Sequence, residues 1–130
     1  MKDAALKHGA FGWFELMTTD AEAAKQFYTQ LFGWETMDYP MEGMTYTVLK
    51  VNDDETGGIM SIPAEAQGMP PMWSLYITVA DVDATAQQVE KLGGTVIRPP
   101  MDIPKVGRFC VLQDPQGAMI CAITYAEQPK

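Results

Sequence analysis

Residues 20–33, DAEAAKQFYTQLFG, and residues 81–94, DVDATAQQVEKLGG, decide the fold, because the second stretch repeats the layout of the first. Each opens on an Asp, whose side chain can accept a hydrogen bond from a free amide in the first helical turn. In the first stretch Ala23, Ala24, Phe27, Tyr28 and Leu31 recur at three- and four-residue spacing and make one apolar stripe. Gly33 stands where a left-handed residue would stop the helix. Asp20 and Asp81, Leu31 and Leu92, and Gly33 and Gly94 are each 61 residues apart, so cap, stripe and stop coincide under one shift.

The surroundings repeat as well. Residues 11–17 read as a strand before the first helix, and WETMDYPM (34–41), MTYTVLKV (44–51) and GGIMSIP (57–63) follow it as aromatic and β-branched stretches separated by turn residues. WSLYITV (73–79) precedes the second helix, and TVIRPP (95–100), RFCVLQ (108–113) and AMICAITY (118–125) follow, the last two joined by Asp-Pro-Gln-Gly. Two copies are too few for a solenoid. The economical fold is α+β, two βαβββ modules with helices outside a mostly antiparallel sheet. Module one is expected over about 9–62, the linker PAEAQGMPPM over 63–72, and module two over about 73–125.

The chain has 130 residues, 47% of them hydrophobic, which suits a single domain with a substantial core. Seventeen acids against nine Lys and Arg give a net charge of −8, and no basic run offers a track for phosphates, so nucleic acid and anionic membrane surfaces are poor partners. No apolar segment reaches the roughly 18 residues of a membrane span, and MKDAALKHGA lacks a secretory apolar region, so a cytoplasmic location is expected. The ten methionines are expected chiefly as gap-fillers in the core rather than as an adaptable binding surface.

AEAAKQFYTQLFGWE after the first strand, VADVDATAQQVEKLGG after the fifth and FCVLQDPQGAMICAI as the final hairpin together resemble the vicinal oxygen chelate superfamily, which includes glyoxalase I, extradiol dioxygenases, and fosfomycin and bleomycin resistance proteins. The resemblance covers nearly the whole chain and implies an open, cup-shaped sheet around a cavity. Enzymes of this family usually hold a divalent metal with four His, Glu or Gln side chains, one each on strands one, four, five and eight. Counted onto this chain, those positions fall on Trp13, Ile62, Ser74 and Cys121. A single Cys among Trp, Ile and Ser is not a ligand set for such a metal. No metal and no cofactor are therefore expected. The single histidine, His8, is expected in a flexible, solvated arm before the first strand.

Side chains alternate along a strand, so an inward Trp13 brings Glu15 and Met17 inward and sends Phe14 and Leu16 under the helix. Ser74 likewise brings Tyr76 and Thr78 inward. Burying an unpaired carboxylate is costly, so Glu15 needs donors, a cation or a proton. The candidate donors are Tyr76, Ser74 and Arg108, the last placed with Cys110 on the cup side of its strand. Two readings of Glu15 stand: a group that binds an amine or acts as general base, and a structural salt bridge or wetted rim residue. With Gln113 paired to Ala118 across the hairpin, Cys110 falls opposite Cys121 on one inward face, where two reduced thiols are expected as small apolar fillers, a redox pair or soft-metal site being the alternative.

The expected function is a metal-free member of the superfamily that binds a small organic molecule, cationic or aromatic compounds being the candidates, with a homodimer as a candidate assembly. Trp13, Glu15, Ile62, Ser74, Tyr76, Arg108, Cys110 and Cys121 are the candidate ligand-binding residues. A second reading is a metal-independent lyase or isomerase with Glu15 as general base and Tyr76 as its catalytic partner. A third is a metal-dependent glyoxalase- or dioxygenase-like enzyme whose ligands lie elsewhere.

Overall fold

The computed structural model describes residues 3–41, 43–103 and 106–126. Within them the chain is α+β, with eight strands and two helices. It divides into two compact units, one from residues 13–74 and one from residues 3–12 with 75–126, and each strand cut by a boundary belongs with the unit that holds most of it.

The first unit carries β1 (Phe11–Thr18), α1 (Ala21–Phe32), β2 (Glu35–Met41), β3 (Met44–Val51) and β4 (Asp54–Ser61), with the strands in the order β2-β3-β4-β1. Helix α1 starts because Asp20, in extended backbone, accepts the Ala23 amide through Oδ1 at 3.0 Å. It stops at Gly33, which takes the left-handed conformation at φ 73° and returns its N–H to the Thr29 carbonyl. Asn52 and Asp53 both have positive φ, 49° and 68°, the two-residue hairpin turn that matches strand twist. This turn joins β3 to β4, and Val48 faces Gly58 while Leu49 faces Gly57. Strand β4 runs parallel to β1 with Glu15 beside Gly58. Leu16, Leu49 and Ile59 form the buried layer under α1, packed against Ala21, Ala24, Tyr28 and Trp34. Alternation then turns Trp13, Glu15, Met17, Tyr46 and Val48 to the opposite face.

The second unit repeats the plan with β5 (Met72–Thr78), α2 (Val82–Lys91), β6 (Thr95–Ile103), β7 (Gly107–Gln113) and β8 (Met119–Tyr125), in the order β5-β8-β7-β6. Asp81 caps α2 through the amides of Asp83 and Ala84 at 3.0 and 3.2 Å. The expected stop at Gly94 is corrected by one residue. Helix α2 has ten residues where α1 has twelve, and the positive φ of 92° belongs to Gly93. Gly94 is needed instead for a close approach, since a Cβ there would press on the Gln113 carbonyl of β7 at 2.7 Å.

The final hairpin also differs from expectation. Gln113 pairs with Met119, not Ala118, because Asp114 and Ala118 belong to the turn. Asp114 N–H donates to the Ala118 carbonyl, its Oδ1 accepts from Gln116 and Ala118, and Gly117 takes φ 103°. That is a tight turn followed by a glycine bulge, one residue longer than a symmetric four-residue loop. A slip of one residue exchanges faces. Cys110 therefore pairs with Ala122 and Cys121 with Val111, and the two thiols lie on opposite faces of the sheet rather than side by side.

Two further expectations are overturned. The arm before β1 is not a free tail: Asp3–Leu6 form a 3-10 turn, Thr78 donates its hydroxyl to the Ala5 carbonyl, and His8 Nδ1 accepts the Ala80 amide at 2.9 Å. Thr78 also bonds this segment through its backbone, to Gly9 and Ala10. The methionines are not core fillers either, for among the described residues none is buried. Met37 and Met41 are exposed on β2, at the end of the strand order, and Met44 is half-buried on its neighbour β3. No helix among the described residues is long and apolar enough to cross a membrane.

Candidate functional site

On the first unit's sheet face away from α1, three side chains join in a relay. The indole N–H of Trp13 donates to the Tyr46 hydroxyl at 3.0 Å, and that hydroxyl donates to Glu15 Oε1 at 2.8 Å. Glu15 is only 7% exposed, so the bond from Tyr46 offsets part of the cost of removing its carboxylate from water. Tyr46 starts on β3 and reaches Glu15 on β1 across the intervening strand β4. It can do so because its ring lies over Gly58, where a Cβ would collide with the ring and hydroxyl. The neighbouring Gly57 meets a different need, since its Cβ would strike the Phe14 carbonyl of β1.

Around this relay the face is apolar and adaptable. Register places Met44 opposite Met41, Tyr46 opposite Tyr39 and Val48 opposite Met37, with Met17 and Met60 on the neighbouring strands. Met37, Tyr39 and Met41 are exposed. The bulge after Leu49 brings Glu55 opposite Lys50, and the Tyr39 hydroxyl donates to Glu55 at 3.3 Å; the negative charge of Glu55 raises the Tyr39 pKa.

The remaining expected residues are distributed as follows. Ile62 is buried just past the end of β4, where its amide bonds to the Thr18 carbonyl. Ser74 is half-buried on β5. In the second unit Tyr76 is buried beside Cys121 of β8, and its ring lies 6.2 Å from that of Phe109. Cys110 is corrected: fully enclosed, it packs with Val79, Val82 and Ala122 in the layer that includes Ala86 of α2, and burial pushes its thiol pKa up. Arg108 does share a face with Cys110, but that is the helix side. It makes a two-pronged bond to Asp83 of α2 at 3.0 Å and a third bond to Asp102 at 3.2 Å, a surface network that lowers the Asp83 pKa. It is therefore not the donor expected for Glu15.

The profile of the glyoxalase/bleomycin resistance protein/dioxygenase superfamily matches residues 10–122. The chain belongs to this superfamily. CFP32 of Mycobacterium tuberculosis, a protein named as a glyoxylase, is 41% identical over 122 residues, covering 92% of this chain and 47% of CFP32. The anthracycline biosynthesis protein DauV of a Streptomyces strain is 32% identical over 135 residues, covering 85% of this chain and 45% of DauV. The chain thus spans about half the length of these curated relatives. Methylmalonyl-CoA epimerase from Mycobacterium tuberculosis superimposes with a TM-score of 0.68 at 14% identity, over 98% of this chain and 93% of the epimerase, a likeness of fold.

The side chains at the positions counted from the sequence do not make a donor set for the superfamily's usual metal. The Trp13 nitrogen is a donor already committed to Tyr46. The fourth-strand position expected at Ile62, which lies past the end of β4, is corrected to Gly58, the counterpart of Cys121, which has no side chain to ligate. A Ser hydroxyl with a Cys thiol completes the set. Among the described residues, no three His, Cys, Asp or Glu side chains gather as a group that could hold a metal. Sequence reasoning reached Trp13 and Glu15 but missed Tyr46. The signal was present in MTYTV, whose alternation puts Met44, Tyr46 and Val48 on one face, and in the paired glycines of β4 that make room for a ring.

Proposed function

We propose that this superfamily member binds a small, partly apolar organic cation on the sheet face of its first unit, with Glu15 recognising the charge. The observation that carries the reading is a nearly buried carboxylate, set in a Met- and Tyr-lined face and aimed by the Tyr46 hydroxyl. A carboxylate is an acceptor of several hydrogen bonds, so one held by Tyr46 is also chemically suited to an ammonium donor. Methionine side chains adapt to irregular apolar shapes, and the half-buried Trp13 adds aromatic area. The name of DauV supports planar aromatic compounds as the class to try. We assign the protein to the cytoplasm, in keeping with its acidity.

The test is a two-dimensional NMR titration with an anthracycline that bears a free amine and with its N-acetylated counterpart. The amine form should bind at least ten times more tightly and shift the resonances of Trp13, Glu15 and Tyr46. Equal affinity for the two forms, or shifts confined to the second unit, would sink the proposal.

A second reading is a metal-independent lyase or isomerase in which Glu15 takes a proton from the carbon next to a carbonyl; the name of CFP32, a glyoxylase, supports enzymatic activity in general. Deuterium entering that carbon of a hydroxyketone with the native chain, and not with Glu15→Gln, would favour it.

A further inference from the structure

Gly58 is not required by its own backbone. Its φ is not among the positive values of this chain, so an alanine could adopt the same conformation. What excludes a larger residue is the ring of Tyr46, which occupies the space a Cβ at position 58 would need. The second unit supplies an internal control. There Tyr76 lies beside Cys121 on a parallel strand as Glu15 lies beside Gly58, and Val111 faces Cys121 as Val48 faces Gly58. Two residues before Val111 stands Phe109, in the place of Tyr46. With a Cβ present at Cys121, the Phe109 ring meets another ring, Tyr76, at 6.2 Å, and Phe109 carries no hydroxyl with which to aim a carboxylate.

We infer that position 58 determines the specificity of the Glu15 site and that Tyr46 is its positioning residue: glycine at 58 admits the Tyr46 ring across β4, and the hydroxyl so placed aims Glu15 at a cation. The inference rests on the reading of Glu15 given above. Trp13 completes the arrangement, because its N–H occupies a lone pair of the Tyr46 oxygen and leaves the hydroxyl proton for Glu15. Removing the Tyr46 hydroxyl therefore leaves both neighbours short of a partner, whereas filling position 58 displaces the whole ring.

Two variants of the full chain separate these effects. Gly58→Ala expels the ring, and Tyr46→Phe keeps the ring and removes only the hydroxyl, so its fold does not depend on solving a clash. The Trp13 indole N–H resonance, assigned by its loss in Trp13→Phe, is recorded without any additive. The ratio of affinities for the free-amine and N-acetylated anthracyclines is then measured. In both variants the resonance should move and the ratio should fall from tenfold or more to below threefold, while affinity for the N-acetylated form changes less than threefold. An unmoved resonance, or a ratio that stays at the native value in Tyr46→Phe, overturns the inference and leaves the role of Glu15 standing. A ratio near one in the native chain overturns the reading of Glu15, and the inference with it.

Discussion

The two units place different chemistry in the same slot. In the first, a tyrosine crosses a glycine to hold a carboxylate: Tyr46, Gly58 and Glu15. In the second, Phe109, Cys121 and Tyr76 occupy the corresponding places, and the rings of Phe109 and Tyr76 lie 6.2 Å apart. The second unit's nearby polar groups serve structure: Thr78 fastens the N-terminal segment through Ala5, Gly9 and Ala10, and the Tyr125 hydroxyl is enclosed without a well-formed hydrogen bond among the described residues. One scaffold thus tolerates a buried charge only where a donor has been given room to reach it. A repeat of secondary structure therefore need not be a repeat of function.

The sharpest way to break this comparison is to put the charge where the room is missing. Tyr76→Glu strands a carboxylate beside Phe109 and Cys121 and should cost about 3–5 kcal/mol in urea unfolding, more at pH 8 than at pH 5, because the buried carboxyl folds more readily when protonated. Adding Phe109→Tyr and Cys121→Gly supplies the donor and the space and should recover about 1.5–3 kcal/mol of that loss. No recovery would mean that the slot is not equivalent in the two units.

In the first unit, Tyr46→Phe leaves Glu15 and the Trp13 N–H each short of a bond and should destabilise by about 1.5–3 kcal/mol. Phe109→Tyr in the second unit should change stability by less than about 1 kcal/mol. Equal effects would contradict the contrast.

A pH titration adds a third distinction. Burial pushes the Tyr125 hydroxyl up to about 12, against a smaller opposing pull from Thr78. Below the ordinary tyrosine value of about 10 both folded and unfolded chains hold this proton; above it the unfolded chain ionises first, so stability falls as pH rises until the folded group also ionises. The loss attributable to Tyr125 should be about 2 kcal/mol and should be absent in Tyr125→Phe, read from urea midpoints between pH 9 and 12. Arg108→Met should have the smallest effect, leaving the urea midpoint nearly unchanged, since its partners Asp83 and Asp102 are exposed. It should leave the preference for the free-amine anthracycline unchanged. A loss of several kcal/mol would restore Arg108 as the counter-ion of a buried acid.

What the sequence made legible was local or periodic. Asp20, Gly33 and Asp81 announce caps within one turn of where they act, and alternation correctly sends Leu16 under α1 and Glu15 to the other face. What it hid depends on register between strands. Tyr46 matters only because β3 is aligned so that its ring falls over Gly58, and no local pattern states that alignment. The thiols were misread because one extra turn residue in the β7–β8 hairpin exchanges faces. Arg108 followed Cys110 into the same error although the alternation between them was right. The methionines were misjudged because composition cannot tell an edge strand from a core strand.

The central claim, that Glu15 is held ready for a cation rather than for the fold, is tested most directly by calorimetric titration of Glu15→Gln beside the native chain with the free-amine anthracycline. The substitution keeps the shape and removes the charge, so binding should weaken by about 1.5–3 kcal/mol, roughly ten- to 150-fold, while the unfolding midpoint stays level or rises. Unchanged affinity together with a large loss of stability would contradict the account and make Glu15 a structural residue.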